Sequence, residues 1–222
     1  MQPNLTAAEE LAYTQLPAVG ASIPRRGNRI TRGFMSFLMR LFGWRIVGQV
    51  PDVPRFVFVG APHTSNSDFF MTAFTMVALG VDVHFVMKHT PFVGPIGWFL
   101  RWLGGIPLDR DRTRDFVAQM VDEFDKRDKF LLAIMPEGTR GSHSAGKGWR
   151  SGFYYIAKGA GVPLLMVIFD YANREMRVGP TIFPGEDYEA DLPKIQAYFA
   201  GVRGRKPERT LALNSTAADP NR

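Results

Sequence analysis

RFVFVGAPHTSNSDFF, residues 55–70, decides the fold. Its first half, RFVFVGAP, is a short β-branched and aromatic run entered through Pro51 and Pro54, and it predicts a buried strand. Its second half opens a helix over residues 67–80, with Ser65 or Asn66 as the cap and Gly80 as the stop. Strand, polar loop and helix in that order form the repeating unit of an α/β sheet. Ligands of open α/β sheets gather beyond the carboxyl ends of the strands. His63 and Asp68 stand at such an end.

The alternation continues along the chain. VHFVMK (83–88) predicts a second strand, PFVGPIGWFLRWLGG (91–105) a tryptophan-rich turn of helix, and IPLDR (106–110) a short strand with its exit loop. Thr113 to Lys126 has helical spacing, with Phe116, Val117, Met120, Val121 and Phe124 on its apolar side. KFLLAIM (129–135) and PLLMVIF (163–169) are further strands, separated by a helix over Gly152 to Gly161. Arg174 to Val178 returns antiparallel after a turn at Asn173, and Leu192 to Val202 is a last helix. The expected fold class is α/β: a single domain with a mixed, mostly parallel sheet flanked by helices.

Residues 1–29 are polar and proline-punctuated and read as a flexible arm, 30–203 as the domain, and 204–222 as a flexible tail. Within the domain, residues 30–45 place Ile30, Phe34, Phe37, Leu38, Leu41 and Trp44 at helical spacing, punctuated by Arg32, Arg40 and Arg45. Two readings fit this amphipathic helix. It lies in a membrane interface with its arginines on lipid phosphates, or it packs on the core.

Of the 222 residues 45% are hydrophobic, enough to fill a core, which excludes a disordered or fibrous chain. With no cysteine there are no disulfides, thiolate metal sites or cysteine nucleophiles. The longest near-apolar stretch, Phe69 to Val81, falls short of the roughly 18 to 20 residues that span a bilayer. Glu9 and Glu10 interrupt any signal-peptide core, so the expectation is a peripheral protein on the cytoplasmic face of a membrane, with no transmembrane helix and no signal peptide. The 27 Lys and Arg against 21 Asp and Glu, a net charge of +6, call for an anionic partner.

Three polar loops, each following a predicted strand, carry the chemistry. In the first, His63 and Asp68 would lie about 140° apart on a continuous helix. They meet only if His63 is in the loop and Asp68 in the first helical turn. Asp68 can then accept from one imidazole nitrogen and leave the other as a general base; a capped helix start with an incidental histidine is the plainer account. In the second, PEGTR (136–140), Thr139, Arg140 and the backbone amides around Gly138 suit a phosphate, while Glu137 suits a hydroxyl or Arg140 itself. In the third, Asp109, Arg110, Asp111 and Arg112 crowd one loop, where an arginine can face a phosphate or the charges can simply be solvated.

In order, His63-x-Ser65-x-x-Asp68, Gly105-Ile-Pro-Leu-Asp-Arg110, Pro136-Glu-Gly-Thr-Arg140 and Val162-Pro163-Leu164 resemble the four blocks of the glycerolipid acyltransferase superfamily, typified by 1-acylglycerol-3-phosphate acyltransferases. The resemblance runs from about Gly48 to Phe169 and extends to Lys88 and WRSGFYYIAKGAGVP. It implies His63 as general base with Asp68 as its orienting partner. Ser65, Lys88, Arg110, Glu137, Gly138, Thr139 and Arg140 are the implied substrate-binding positions, and Val162 and Pro163 the acyl site. The implied reaction moves a fatty acyl group to a lysophospholipid hydroxyl. It uses no cofactor; a thioester of coenzyme A or acyl carrier protein is the co-substrate, and the partners are those donors, the acceptor lipid and a membrane surface. Leu165, Met166 and Val167 depart from the pattern, standing where many members have a second proline.

Rival readings fail on spacing. Gly141 to Lys147 has a phosphate-loop outline, but Gly148 replaces the Ser or Thr that would hold magnesium. No Gly-x-Ser-x-Gly occurs, and the four histidines lack two-histidine metal spacing. The aromatics cluster with aliphatic residues rather than along a nucleic-acid-binding sheet motif, so no nucleic-acid partner is expected. A non-catalytic basic membrane-binding protein is the alternative that explains charge and aromatics alike.

Overall fold

A computed structural model describes residues 16–108, 116–138 and 148–207. In chain order its elements are α1 (Arg29–Leu41), β1 (Arg45–Val47), β2 (Arg55–Ala61), α2 (Asn66–Leu79), β3 (Val83–Lys88), α3 (Gly94–Trp102), β4 (Gly105–Leu108), α4 (Phe116–Asp125), β5 (Phe130–Ile134), α5 (Gly152–Ala160), β6 (Leu164–Asp170), β7 (Glu175–Ile182) and α6 (Tyr188–Ala197). The strands form one seven-stranded sheet in the order β1-β7-β6-β2-β5-β3-β4. Strands β6, β2, β5, β3 and β4 run parallel, and β7 pairs antiparallel with β6. The α/β class and the mostly parallel sheet are those expected.

The pleat of β2 divides the core. Val57, Val59 and Ala61 point to one side, where α4, α5 and α6 supply Phe124, Tyr154, Ile156 and Ile195. Phe56 and Phe58 point to the other, where α1 and α2 supply Met39, Met71 and Leu79. Because both faces are covered, β2, β5 and β6 are apolar throughout apart from Arg55 and Asp170 at their ends, which is why their sequences read as runs and not alternations.

Several boundaries differ from expectation. The first helix stops at Leu41, and Gly43, at φ 69°, turns the chain into β1, an edge strand that the sequence pattern does not signal. Trp44 therefore belongs to this turn and is buried. The helix's core contacts are Met35 and Met39, while Ile30, Phe34, Phe37 and Leu41 are exposed, Ile30 by 82%. At about 100° per residue those four fall within some 60° of arc, opposite Met39. The helix thus packs on the core through Met35 and Met39, while of the named stripe Ile30, Phe34, Phe37 and Leu41 are exposed, Leu38 is half-buried and Trp44 is buried.

The last helix starts at Tyr188 rather than Leu192, capped by Asp187, and carries Pro193 inside. A proline is usual in the first helical turn, where its missing N–H costs nothing; here a full turn precedes it. Residues 16–28 are not a free arm: Ile23 is buried, Arg25 bridges to Val81 and Arg26 pairs with Asp82. Residues 1–15, the expected helix start at Thr113 and the tail beyond 207 lie outside the described residues. Among those described, no helix is long and apolar enough to cross a membrane.

The end of β2 has little spare room. A Cβ on Gly60 would sit 2.7 Å from Met135 Sδ and under 3 Å from the Phe58 and Phe169 rings. Gly60→Ala is expected to cost about 1–3 kcal/mol by overpacking, read as a lowered urea midpoint with an unchanged slope.

Candidate active site

The polar loops end on one edge of the sheet. Ala61 closes the central strand β2, and cis-Pro62 and His63 follow directly. Asn66 begins α2 with Ser65 as N-cap, its Oγ accepting from Ser67 N at 3.2 Å. Asp68 is the third residue of the helix, the position from which a side chain reaches back to the cap. It does so fully: Oδ2 accepts from Ser65 N at 2.8 Å and from Thr64 N at 2.7 Å. The same oxygen lies 3.2 Å from His63 Nδ1. The imidazole N–H is off line for a hydrogen bond in this geometry, so the pair is an electrostatic contact that a small ring rotation would align. The five-residue spacing thus works as the sequence required, with His63 in the loop and Asp68 in the first turn.

Oδ1 of Asp68 accepts from the Tyr171 hydroxyl at 2.6 Å. Tyr171 follows β6, the neighbour of β2, and its oxygen is also 3.0 Å from Ser67 Oγ. Asp68 is fully buried. Burial works to raise its pKa, but the neighbouring His63 ring, the Tyr171 hydroxyl and the Ser65 amide outweigh it and hold the carboxyl below its ordinary value. The Tyr171 phenol is pushed up by its own burial and by the carboxylate beside it. Nothing in the sequence singled out Tyr171; its one signal was a polar aromatic at the carboxyl end of an apolar strand.

Glu137 arrives from β5 on the other side of β2. Only 3% exposed, it accepts from His63 N through Oε1 at 3.0 Å. The sequence reading placed Glu137 on substrate or on Arg140; the structure adds a role that reading did not include, the carboxyl fixing the backbone of the histidine itself. Burial pushes its carboxyl up to about 7, against the opposing pull of the His63 amide. Gly138 follows in a left-handed conformation, φ 68°, with the Arg150 side chain against it. Arg150 is therefore a cation at this loop that the motif reading did not single out.

Lys88, at the end of β3, is exposed and level with Ala61 two strands away, a lateral distance of about 10 Å. Val162 and Pro163 are not brought to the site. Pro163 stands level with Phe56, about 16 Å along the strand from Ala61, and its carbonyl accepts from Val57 N at 3.0 Å. Their place is the buried turn from α5 into β6. Arg110, Thr139 and Arg140 lie outside the described residues, as do Asp109, Asp111, Arg112 and the Gly141–Lys147 segment. The expected tail is in part docked: Gly204 is buried beside Thr64, and Lys206 N donates to Thr64 Oγ1 at 3.2 Å. Among the described residues no group of three or more His, Cys, Asp and Glu side chains could hold a metal ion.

Residues 33–170, more than half of the chain and including this edge, match the family described as Acyltransferase. The chain belongs to that family. Two curated relatives of this acyltransferase-family chain are chloroplastic 1-acyl-sn-glycerol-3-phosphate acyltransferases. That of Brassica napus is 29% identical over 120 residues, covering 53% of this chain and 35% of the relative. That of Arabidopsis thaliana is 28% identical over 122 residues, 54% of this chain and 34% of the relative. The chain thus matches about a third of the length of these relatives. The crystal structure of the 1-acyl-sn-glycerophosphate acyltransferase PlsC from Thermotoga maritima shares the fold, with a TM-score of 0.53 at 15% identity over 77% of this chain and 75% of that one.

Glu137 gives a pH test. Its folded pKa of about 7 exceeds its ordinary 4.5, so between those values the folded chain holds a proton that the unfolded chain has released, and stability falls as pH rises through that window. Glu137→Gln keeps an acceptor for His63 N and removes the titration. Urea midpoints at pH 5 and pH 8 are expected to differ less in the variant than in the wild type, with the variant gaining at pH 8; an identical pH dependence would contradict the assignment.

Proposed function

We propose that this chain is an O-acyltransferase that moves a fatty acyl group from a thioester of coenzyme A or acyl carrier protein to the hydroxyl of a lysophospholipid such as 1-acylglycerol-3-phosphate, in phospholipid synthesis or remodelling. The observation that carries the reading is the His63 imidazole against a buried, ionised Asp68, at the carboxyl edge of a sheet whose family is established. The names of the relatives supply the acceptor class.

With Nδ1 toward Asp68, Nε2 of His63 is left for the acceptor hydroxyl. It removes the proton as the oxygen attacks the thioester carbonyl, and the carbonyl π electrons move to oxygen. Collapse of the tetrahedral adduct expels the thiolate, which takes the proton from the imidazolium and leaves as the thiol. Asp68 supplies the compensating negative charge while the imidazolium exists. General-base assistance of this kind contributes about 10² to 10⁴-fold, and holding two substrates together adds more. Lys88 at the same edge, with Ser65, Gly138, Arg110, Thr139 and Arg140 by resemblance, serves the acceptor phosphate.

The exposed stripe of α1, Ile30, Phe34, Phe37 and Leu41, supports peripheral docking on the cytoplasmic face of an anionic membrane, which is where a two-tailed product would be delivered. Trp98 and Ile96 of α3 are exposed as well and extend the apolar surface available to lipid. Lipid binding without transfer would be the outcome favouring a non-catalytic membrane-binding protein.

His63→Ala is expected to abolish transfer across a panel of lysolipids and acyl donors followed by mass spectrometry, with the melting temperature unchanged; retention of more than about a tenth of the rate would remove His63 as base. Phe34→Ser with Phe37→Ser should weaken co-sedimentation with anionic vesicles at least tenfold, since each phenylalanine is worth about 1.5–3 kcal/mol on burial, and should leave folding intact because both are exposed.

A further inference from the structure

We propose that Tyr171 is a positioning residue for the His63–Asp68 pair, its hydroxyl locking the Asp68 carboxylate in the plane that presents Oδ2 to the imidazole. The proposal rests on the acyl-transfer reading for its kinetic arm and stands on geometry otherwise. All the local contacts to the Asp68 carboxylate fall on one oxygen: hydrogen bonds from Thr64 N at 2.7 Å and Ser65 N at 2.8 Å, and His63 Nδ1 at 3.2 Å, all meet Oδ2. A carboxylate held by one oxygen can still rotate about its Cβ–Cγ bond. The second oxygen is fixed by Tyr171 at 2.6 Å, the length of a charge-assisted O–H···O bond.

That bond is not part of the capping box, which Ser65 and Asp68 complete between themselves. It comes from a residue 103 positions away, just past the end of the strand beside β2. The ring that delivers it is itself held. Trp44 packs edge-on against it, with ring centres 4.9 Å apart and planes at 85°, and Ser67 Oγ is 3.0 Å from its oxygen. Ser67 Oγ lies in turn 2.9 Å from Ser65 Oγ, so the contact extends to the helix cap. Tyrosine fits the place because its only proton goes to the carboxylate while its ring packs against Trp44. The charged and titratable groups around Asp68 are His63 on its own loop, Glu137 from the end of β5, Tyr171 from the end of β6, and Arg205, which acts on the tyrosine from the docked C-terminal segment.

The test is Tyr171→Phe, which removes one oxygen and keeps the ring against Trp44. With a lysophosphatidic acid acceptor and an acyl-coenzyme A donor, kcat is expected to fall about tenfold with KM within about twofold. The acid limb of the pH–rate profile should move to higher pH, because a carboxylate relieved of the phenol presents more negative charge to the imidazole. Carboxyl-carbon NMR reads the same bond without activity: Asp68 titrates below the ordinary aspartate range in the wild type and at higher pH in the variant. An unmoved acid limb with kcat within twofold, or an Asp68 titration that is ordinary in the wild type or unchanged in the variant, overturns the proposal. So does a loss of rate that merely follows a lowered melting temperature. If the wild type transfers no acyl group to any acceptor, the functional reading fails, and the NMR comparison still decides Tyr171. Should Tyr171→Phe not fold, the wild-type Tyr171 hydroxyl proton decides: a downfield NMR resonance protected from solvent exchange is expected for the bond to Asp68, and a rapidly exchanging one overturns the proposal.

Discussion

A buried carboxylate has to be satisfied from every side, and around Asp68 that requirement organises the site. Bringing an ionised group out of water is costly unless hydrogen bonds replace the solvent. Here two backbone amides and a phenol do so, and an imidazole lies beside them in electrostatic contact. The amides belong to Thr64 and Ser65, so the shape of the loop is set by the same oxygen that faces the histidine. The phenol belongs to the next strand, so loop and sheet are tied together. Because the carboxyl stays ionised, it carries the negative charge that the proposed general-base role of His63 requires beside the imidazole.

The sheet makes this arrangement possible by its order. With β2 in the centre, β5 and β6 are its immediate neighbours on either side, although they follow it by some seventy to a hundred residues in the chain. Their carboxyl ends deliver Glu137 and Tyr171 to opposite flanks of the loop after β2, one onto the backbone of His63 and the other onto Asp68. The site is thus held by three parallel strands and not by one flexible loop. Binding constellations on sheet edges gain their precision from such rigid support.

The outer surface of α1 shows a division of labour that amphipathic spacing left open. Both Met39 and Phe37 are large and apolar, and either could have met the core. The unbranched methionines face inward, Met39 Sδ lying 3.8 Å from Thr75 Oγ1 of α2, and the bulkier rings are left outside. That choice leaves the chain with an apolar ridge in a protein of net charge +6.

Much of this was legible in residues 55–70 and in the apolar runs that follow. A β-branched run, a polar loop and a capped helix leave few alternatives for local structure, and the His63–Asp68 spacing required the loop-and-first-turn arrangement that is found. The motif order pointed to the family. Edge strand β1 and the start of α6 were not legible, because a three-residue strand has no period and Pro193 imitates a helix start. The misplacement of Val162 and Pro163 has another cause: membership of a motif is a linear property, and a strand has two ends about 20 Å apart. What tertiary structure alone decided is the company that Asp68 keeps. Sequence determined the carboxylate, its histidine and its cap, since these interact across three to five residues. Tyr171 and Glu137 reach the same loop from 103 and 74 residues away, through a strand order that local spacing does not encode.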